Sequence, residues 1–318
     1  MYAPYLSTIE GFYLTLRVSN MSSNQNSRVH ALLRLAVSGL LLWGSAAVAG
    51  PAFYTGFEDY NGSSGGVTVN GQQGWYTPNV AGATDQFVFT YDGNALGMPA
   101  NPFGDAQFLG AQTLQLGDFP RAQLDFDFSQ ATVWTVSYDI ANGFNGVLPA
   151  VDNLSSFSLQ DSTFARYFIA LNTWTNPDTG DHWDAYYAVF NADGSMVDLP
   201  GLSPGAAWRN LAVNHWFNQS TTFDFDSNTI TSVSITDLDT GDTATFQPNG
   251  WYLNGGAVFR PPLPTGLRYF VGGGDSYQDN VGSWDNLTIT AVSGPSIQNG
   301  NVSQGVQPVQ VKPGPVTN

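Results

Sequence analysis

The chain of 318 residues contains no cysteine. That excludes a disulfide framework, a thiolate metal centre, an iron–sulfur cluster and a cysteine nucleophile. Cationic side chains are few: nine Lys and Arg stand against 25 Asp and Glu, for a formal charge of −16. Without a basic footprint, nucleic acid and anionic membrane surfaces are excluded as partners. Charged residues of both signs amount to only 11 % of the chain, less than half of the roughly 25 % usual in globular domains. Glutamate occurs twice, at Glu10 and Glu58, and lysine once, at Lys312. The Glu-x-Asp-x-x-Glu strand of laminarinase-type hydrolases is therefore impossible downstream of residue 50. No Gly-x-Ser-x-Gly elbow, phosphate-binding loop or dinucleotide fingerprint is present either.

One hydrophobic run stands out near the N-terminus. Residues 36–49 read AVSGLLLWGSAAVA, preceded by Arg28, His30 and Arg34 and ending in Ala47-Val48-Ala49. The run is short for a membrane span, and its end fits an A-x-A cleavage site. Residues 1–49 are therefore expected to be a mis-called start followed by a secretory signal peptide. The protein is expected to be extracellular, with no membrane attachment after cleavage. Beyond that point six basic and 24 acidic residues remain, 23 of the acids being aspartate.

The rest of the chain is rich in Thr, Val, Phe, Tyr, Asn, Asp and Gly, a composition that favours strands and turns over helices. Apolar and polar residues alternate over 86–91, 123–128, 132–140, 165–171, 185–190, 220–225, 229–236 and 285–292. Turn signals punctuate them at Asp92-Gly93-Asn94, Asp178-Thr179-Gly180-Asp181, Ala192-Asp193-Gly194, Asp239-Thr240-Gly241-Asp242 and Asn249-Gly250. This period-2 pattern predicts about a dozen short strands in one large all-β, antiparallel sandwich over residues 50–292. The segment 293–318 lacks aromatics and is rich in Gln, Asn, Pro, Val and Gly; a disordered tail is expected.

Several short segments together carry a family resemblance. They are Phe57-Glu58-Asp59, Val69-Asn70-Gly71-Gln72-Gln73-Gly74-Trp75, Asp92-Gly93-Asn94-Ala95-Leu96, His215-Trp216 and the closing Trp284-Asp285-Asn286-Leu287-Thr288-Ile289. In this combination the chain resembles the concanavalin-A-like, laminin-G-like jelly-roll domains of secreted bacterial proteins. The resemblance implies a two-layer jelly-roll β-sandwich whose first and last strands lie side by side. It further implies a calcium ion held by Glu58 and Asp285, with Asn286, Asp59 or backbone carbonyls completing six to eight oxygen ligands. The fold hosts lectins, carbohydrate-binding modules, glycoside hydrolases and polysaccharide lyases, so it does not choose an activity.

Sugar rings present flat C–H faces on which indoles stack. Trp174, Trp183, Trp208 and Trp251 each lie beside Asn or Asp in the sequence, which reads as loop-borne stacking residues of a glycan site. The leading expectation is thus a secreted, calcium-stabilised carbohydrate-binding or adhesion module. An enzyme that hydrolyses or eliminates polysaccharide is the alternative, with Arg166, His182, Asp184 and Tyr187 as its acid–base and charge-neutralising set. A structural extracellular protein is the third reading.

Overall fold

The computed structural model describes residues 52–115, 117–144, 153–160, 167–176, 181–272 and 279–292; in 167–176 the only side chain described is that of Thr173. The expected signal peptide and tail lie outside the described residues, as does Arg166. No helix among the described residues is long and apolar enough to cross a membrane.

Strands dominate, with two single-turn 3₁₀ helices at Phe128–Gln130 and Ala206–Trp208. The early strands are β1 (Phe53–Thr55), β2 (Val67–Thr68), β3 (Trp75–Tyr76), β4 (Ala83–Thr84), β5 (Phe87–Thr90), β6 (Gln107–Gln112) and β7 (Phe119–Asp125). The central ones are β8 (Val133–Phe144), β9 (Asn153–Gln160), β10 (Tyr167–Asn176), β11 (His182–Tyr186) and β12 (Leu211–Ala212). The last are β13 (Phe217–Asp224), β14 (Thr229–Asp237), β15 (Thr243–Phe246), β16 (Gly266–Val271) and β17 (Asn280–Ala291).

They pair into two sheets. The first runs β15-β14-β13-β8-β17-β6-β5-β2, with β1 also on β17; the second runs β12-β11-β10-β9-β16-β7-β3, with β4 on β7. Every ladder between strands is antiparallel except the two-residue contact of β4 with β7. The chain passes from one sheet to the other between β2 and β3, β4 and β5, β6 and β7, β7 and β8, β8 and β9, β12 and β13, β15 and β16, and β16 and β17. The result is a two-layer antiparallel jelly-roll sandwich. Its opening and closing strands do meet: Phe53, Tyr54 and Thr55 pair with Ile289, Thr288 and Leu287.

Alternation explains the core. On β8, Trp134, Val136, Tyr138 and Ile140 are buried between the sheets, while Thr135, Ser137 and Asp139 point the other way. Tyr269 of β16 sits among aromatic rings, 4.8 Å from Trp284, 5.3 Å from Tyr138 and 5.6 Å from Phe157. A second apolar cluster lies on the opposite, outer face of the first sheet. There Leu96 and Met98 of the segment after β5 pack with Phe108, Ala141 and Trp216. The Trp216 indole N–H donates to the carbonyl of Pro99 at 2.9 Å, which pins this strap, residues 92–106, across the sheet.

Gly104 lets the strap lie flat. A Cβ at this position falls 2.3 Å from Asp285 Oδ2 and 2.9 Å from Asn101 Cβ. Gly104→Ala is therefore expected to destabilise by about 1–3 kcal/mol through overpacking, read as a drop of several degrees in a thermal melt. An unchanged melt shows the strap to be loosely held.

Candidate functional site

The tryptophans expected to stack on sugar do something else. Trp183 is 0 %, Trp208 3 % and Trp251 7 % exposed. Trp183 sits edge-on to Phe217 at 5.7 Å, with its indole N–H donating to the Ala212 carbonyl at 3.1 Å. Trp251 packs on Phe246 and Tyr187 at 5.3 and 5.4 Å. All three are core residues out of reach of a sugar, which corrects the stacking reading; Trp208 and Trp251 do lie in connections between strands, but turned inward. Trp183 lies on a strand, and its polar neighbours belong to the other side of it: on β11, His182 and Asp184 point outward and Trp183 inward. The side chain of Trp174 is outside the described residues, although its backbone pairs in register with Asp184.

The proposed acid–base set divides in the same way. Tyr187 is fully buried, its hydroxyl meets the Gln219 amide, and burial pushes its ionisation well up. It faces the core and is out of reach of any substrate, a second correction. The outward tyrosine is Tyr186, two residues on from Asp184, which the period-2 pattern from His182 locates. Asp184 accepts from the Asn210 N–H at 2.8 Å, Arg209 at 3.1 Å and the Tyr186 hydroxyl at 3.2 Å. It anchors the segment before β12. His182 is half-buried and its Nδ1 faces Asp181.

Register shows what shares the outer face of the second sheet. One row across it reads Tyr76, Gln123, Arg268 and Ser158 on β3, β7, β16 and β9. The next row holds Arg121, Phe270, Ser156 and, beyond β10, Tyr186. On the other side lie Asp125, Gly266 and Gln160. The polar groups are wired together. The Tyr76 hydroxyl donates to Asp125 at 2.8 Å, the Gln123 amide donates to the Tyr76 oxygen at 2.8 Å, and Arg268 donates twice to Gln123 Oε1 at 2.9 and 2.7 Å. Gln123, Ser156, Ser158, Gln160 and Arg268 are all buried. Burial, followed by the charge of Arg121, pulls the Arg268 guanidinium down to about 10.

Glu58 and Asp285 each hold a different part of the strap against the first sheet. Glu58 Oε1 accepts the N–H groups of Ala106 and Gln107 at 2.8 and 2.9 Å. Asp285 Oδ2 accepts from the Tyr91 hydroxyl at 2.8 Å and from Asn101 at 3.3 Å, and Oδ1 from the Asn286 N–H at 2.8 Å. A residue missed in the sequence lies directly across the ladder: Asp139, in register with Asp285. It too is buried, and its oxygens accept from Asn218, Asn101 and Asn286 at 2.7–2.8 Å. Burial above all, with the charges of Asp139 and Glu58, lifts Asp285 to about 7 against hydrogen bonds from Tyr91 and Asn286 that pull it down.

Calcium requires six to eight oxygens turned inward on one point. Here every oxygen of Asp139 and Asp285 faces an N–H or O–H donor, and Glu58 caps backbone amides. Among the described residues no group of three His, Asp or Glu side chains is set to hold a metal. This donor set fits a hydrogen-bonded carboxylate pair and does not fit the calcium shell that the resemblance implies.

A cleft of about 380 Å³ opens elsewhere, beside β12 and β14. Its His215 lies 3.0 Å from Asp237 and 3.3 Å from Asp239, so the histidine already has its counter-charges.

No protein-family model matches the chain, and none of the curated proteins does. Solved structures do show likeness. A carbohydrate esterase of the Shiga toxin-encoding bacteriophage phi24B matches with a TM-score of 0.48 and 12 % identity, over 77 % of this chain and 100 % of that one. The CBM2 module of the evolved Dit of Lactobacillus casei BL23 phage J-1 matches at 0.42 and 15 %, over 76 % and 95 %. The alginate lyase Aly36B, in complex with an alginate tetrasaccharide, matches at 0.37 and 16 %, over 58 % and 81 %. The architecture given above rests on this chain's own hydrogen-bond register, and no residue role is transferred from these proteins.

Proposed function

We propose that the protein is an exported carbohydrate-binding module whose ligand lies on the outer face of the second sheet. The observation that carries this reading is the hydrogen-bonded chain Asp125–Tyr76–Gln123–Arg268, in which Asp125 is exposed and Tyr76 half-buried while Gln123 and Arg268 lie buried beneath and fix them in place. Saccharide recognition needs hydroxyl-matching donors and acceptors held at set angles, and strand-borne groups locked by mutual hydrogen bonds supply them. Tyr76, Tyr186 and Phe270, all half-buried on the same face, add flat apolar surface of the kind that C–H faces of sugars meet.

Binding is favoured over cleavage by the state of the acid–base candidates. Asp184 is occupied by three structural donors and Tyr187 faces the core. Affinity electrophoresis in gels containing plant and algal polysaccharides tests this. Retardation is expected on at least one of them, weakened about tenfold in Tyr76→Ala, which removes a half-buried ring and its hydroxyl from the face. Release of reducing or unsaturated ends during incubation replaces the binding reading with the enzymatic one. Absence of retardation on every polysaccharide removes it.

A further inference from the structure

Two aromatic rings are left in solvent on the outer face of the first sheet. Tyr54 of β1 is 57 % exposed and Phe103 of the strap 68 %. One side chain ties both residues down. The Tyr54 hydroxyl donates to Asn286 Oδ1 at 2.9 Å, and Asn286 Nδ2 donates to the Phe103 carbonyl at 3.1 Å and to the buried Asp139 at 2.8 Å. The Phe103 N–H in turn donates to Asn101 Oδ1 at 2.9 Å, so the backbone of this residue is held on both sides while its ring faces water. Asn286 lies where the register of β17 shifts, at a φ of 49°. Asparagine tolerates that conformation, and such a bulge re-aims a strand side chain. Gly56 leaves room for the contact: a Cβ there falls 3.0 Å from the Tyr54 hydroxyl and 3.3 Å from Asn286 Oδ1.

Holding an exposed residue in place costs conformational freedom, and a ring left in water buries no apolar area in return. The gain comes on binding, because a fixed ring loses less entropy when a ligand lands on it. The surroundings say which ligand. Partial burial, then the charges of Asp285, Asp105, Asp139 and Glu58, raises the ionisation of the Tyr54 hydroxyl. All four charges are negative, so acidic sugars are repelled. Glu58 Oε1 is taken by the N–H groups of Ala106 and Gln107, but its Oε2 accepts no hydrogen bond among the described residues, and Asp105 is exposed. Carboxylate oxygens are strong acceptors for hydroxyl donors. Two rings of roughly 150–250 Å² each fall short of the roughly 800 Å² per partner that a stable protein interface buries. They suit the C–H faces of one or two sugar rings.

We propose that Tyr54 and Phe103 form a second glycan contact, a stacking platform for a neutral sugar of a polysaccharide chain, with Glu58 and Asp105 accepting its hydroxyls. The inference rests on the carbohydrate-binding reading above and adds to it a second face and a ligand charge class. The two faces point away from each other across the sandwich, so each takes its own segment of glycan. The molecule is then bivalent: it grips a polysaccharide matrix by both faces at once and cross-links soluble chains.

The test uses the whole chain with a neutral β-glucan, a neutral galactomannan and polygalacturonate. Phe103→Ala removes an exposed ring and none of the hydrogen bonds above, so its melt is expected to match the parent's; Tyr54→Ala is the second variant. Retardation in gels of a neutral glycan is expected to weaken about tenfold when both rings are removed, the effect of losing an aromatic stacking surface. Light scattering is expected to rise when the parent is mixed with that glycan. It is expected to stay flat for the double variant and for Tyr76→Ala, each of which keeps one face. Neutral binding that neither scatters light nor responds to the loss of both rings overturns the platform and leaves carbohydrate binding on the second sheet standing. A loss seen only with polygalacturonate overturns the neutral ligand class. Binding that falls with the two rings and is indifferent to Tyr76→Ala supports the platform and removes the second-sheet face. Binding to none of the three, nor to the wider polysaccharide panel, overturns both.

Discussion

Between pH 4 and pH 7 the protein is expected to lose on the order of 4 kcal/mol of stability as the pH rises. The cause is Asp285. An aspartate free in the unfolded chain titrates near 3.8, whereas burial raises this one to about 7 in the fold. The folded state then holds the proton more tightly, so the stabilisation is complete below the unfolded value and disappears as pH climbs through the folded value. Each pH unit within that window is worth about 1.4 kcal/mol. Asp127, Asp193 and Asp237 are shifted the other way, below their ordinary values. Stability tied to them is lost only as pH falls below about 4, so the two ramps do not overlap.

Asp285→Asn carries the neutral form at every pH. Its side-chain carbonyl still accepts from the Asn286 N–H, and no second charge faces Asp139. Denaturant titrations from pH 4 to 8 are expected to show a slope for the parent chain and little slope for the variant, which is the more stable protein at pH 8. Stability that rises with pH in this window, or an equal slope in both chains, sinks the reading. The same melts at pH 8, in calcium and in chelator, are expected to coincide. A calcium-dependent gain that erases the pH slope places an ion on these oxygens and overturns the hydrogen-bonded pair.

The strands were readable because each carries its own evidence. The alternation over 132–140 and 229–236 becomes β8 and β14 with boundaries shifted by a few residues, since one face of each must be apolar wherever it meets the core. The pairing of first and last strands follows from the family resemblance and is met at β1 and β17. What period-2 alternation does not carry is the partner across the ladder. Asp139 looks like any outward strand aspartate until register sets it opposite Asp285, 146 positions away. Gln123 and Arg268 are separated by 145 positions, and neither belongs to a motif. Ser156, Ser158 and Gln160 lie in a strand that is not among the alternating segments, and all are buried. The site is a property of the assembled sheet, and local pattern is blind to it.

Trp183→Ala is expected to cost about 3–5 kcal/mol of folding stability, the range for truncating a large buried aromatic. The mechanism is a cavity, because the ring is fully buried between β11 and Phe217 of β13. The mutation also leaves the half-buried Ala212 carbonyl without its indole donor, and an acceptor partly shielded from water that loses its partner adds a smaller penalty of its own. Trp183→Phe keeps most of the aromatic contact and loses the N–H, so a milder loss of about 1–2 kcal/mol is expected from the same reasoning. Had the loop reading of this residue been right, the pattern would be reversed: glycan retention would collapse and the melt would hardly move. Folded Trp183→Phe protein, assayed below its melting temperature, is expected to keep its polysaccharide retention within about twofold. A melt unchanged in Trp183→Ala together with lost retention would return Trp183 to the binding surface and place the outer face of β11 in question. The neighbouring Tyr186 offers the internal control, since its ring lies on the outward side under the Arg209 guanidinium at 4.6 Å. Removing it is expected to touch retention far more than the core, because the strand turns the two aromatic side chains to opposite faces.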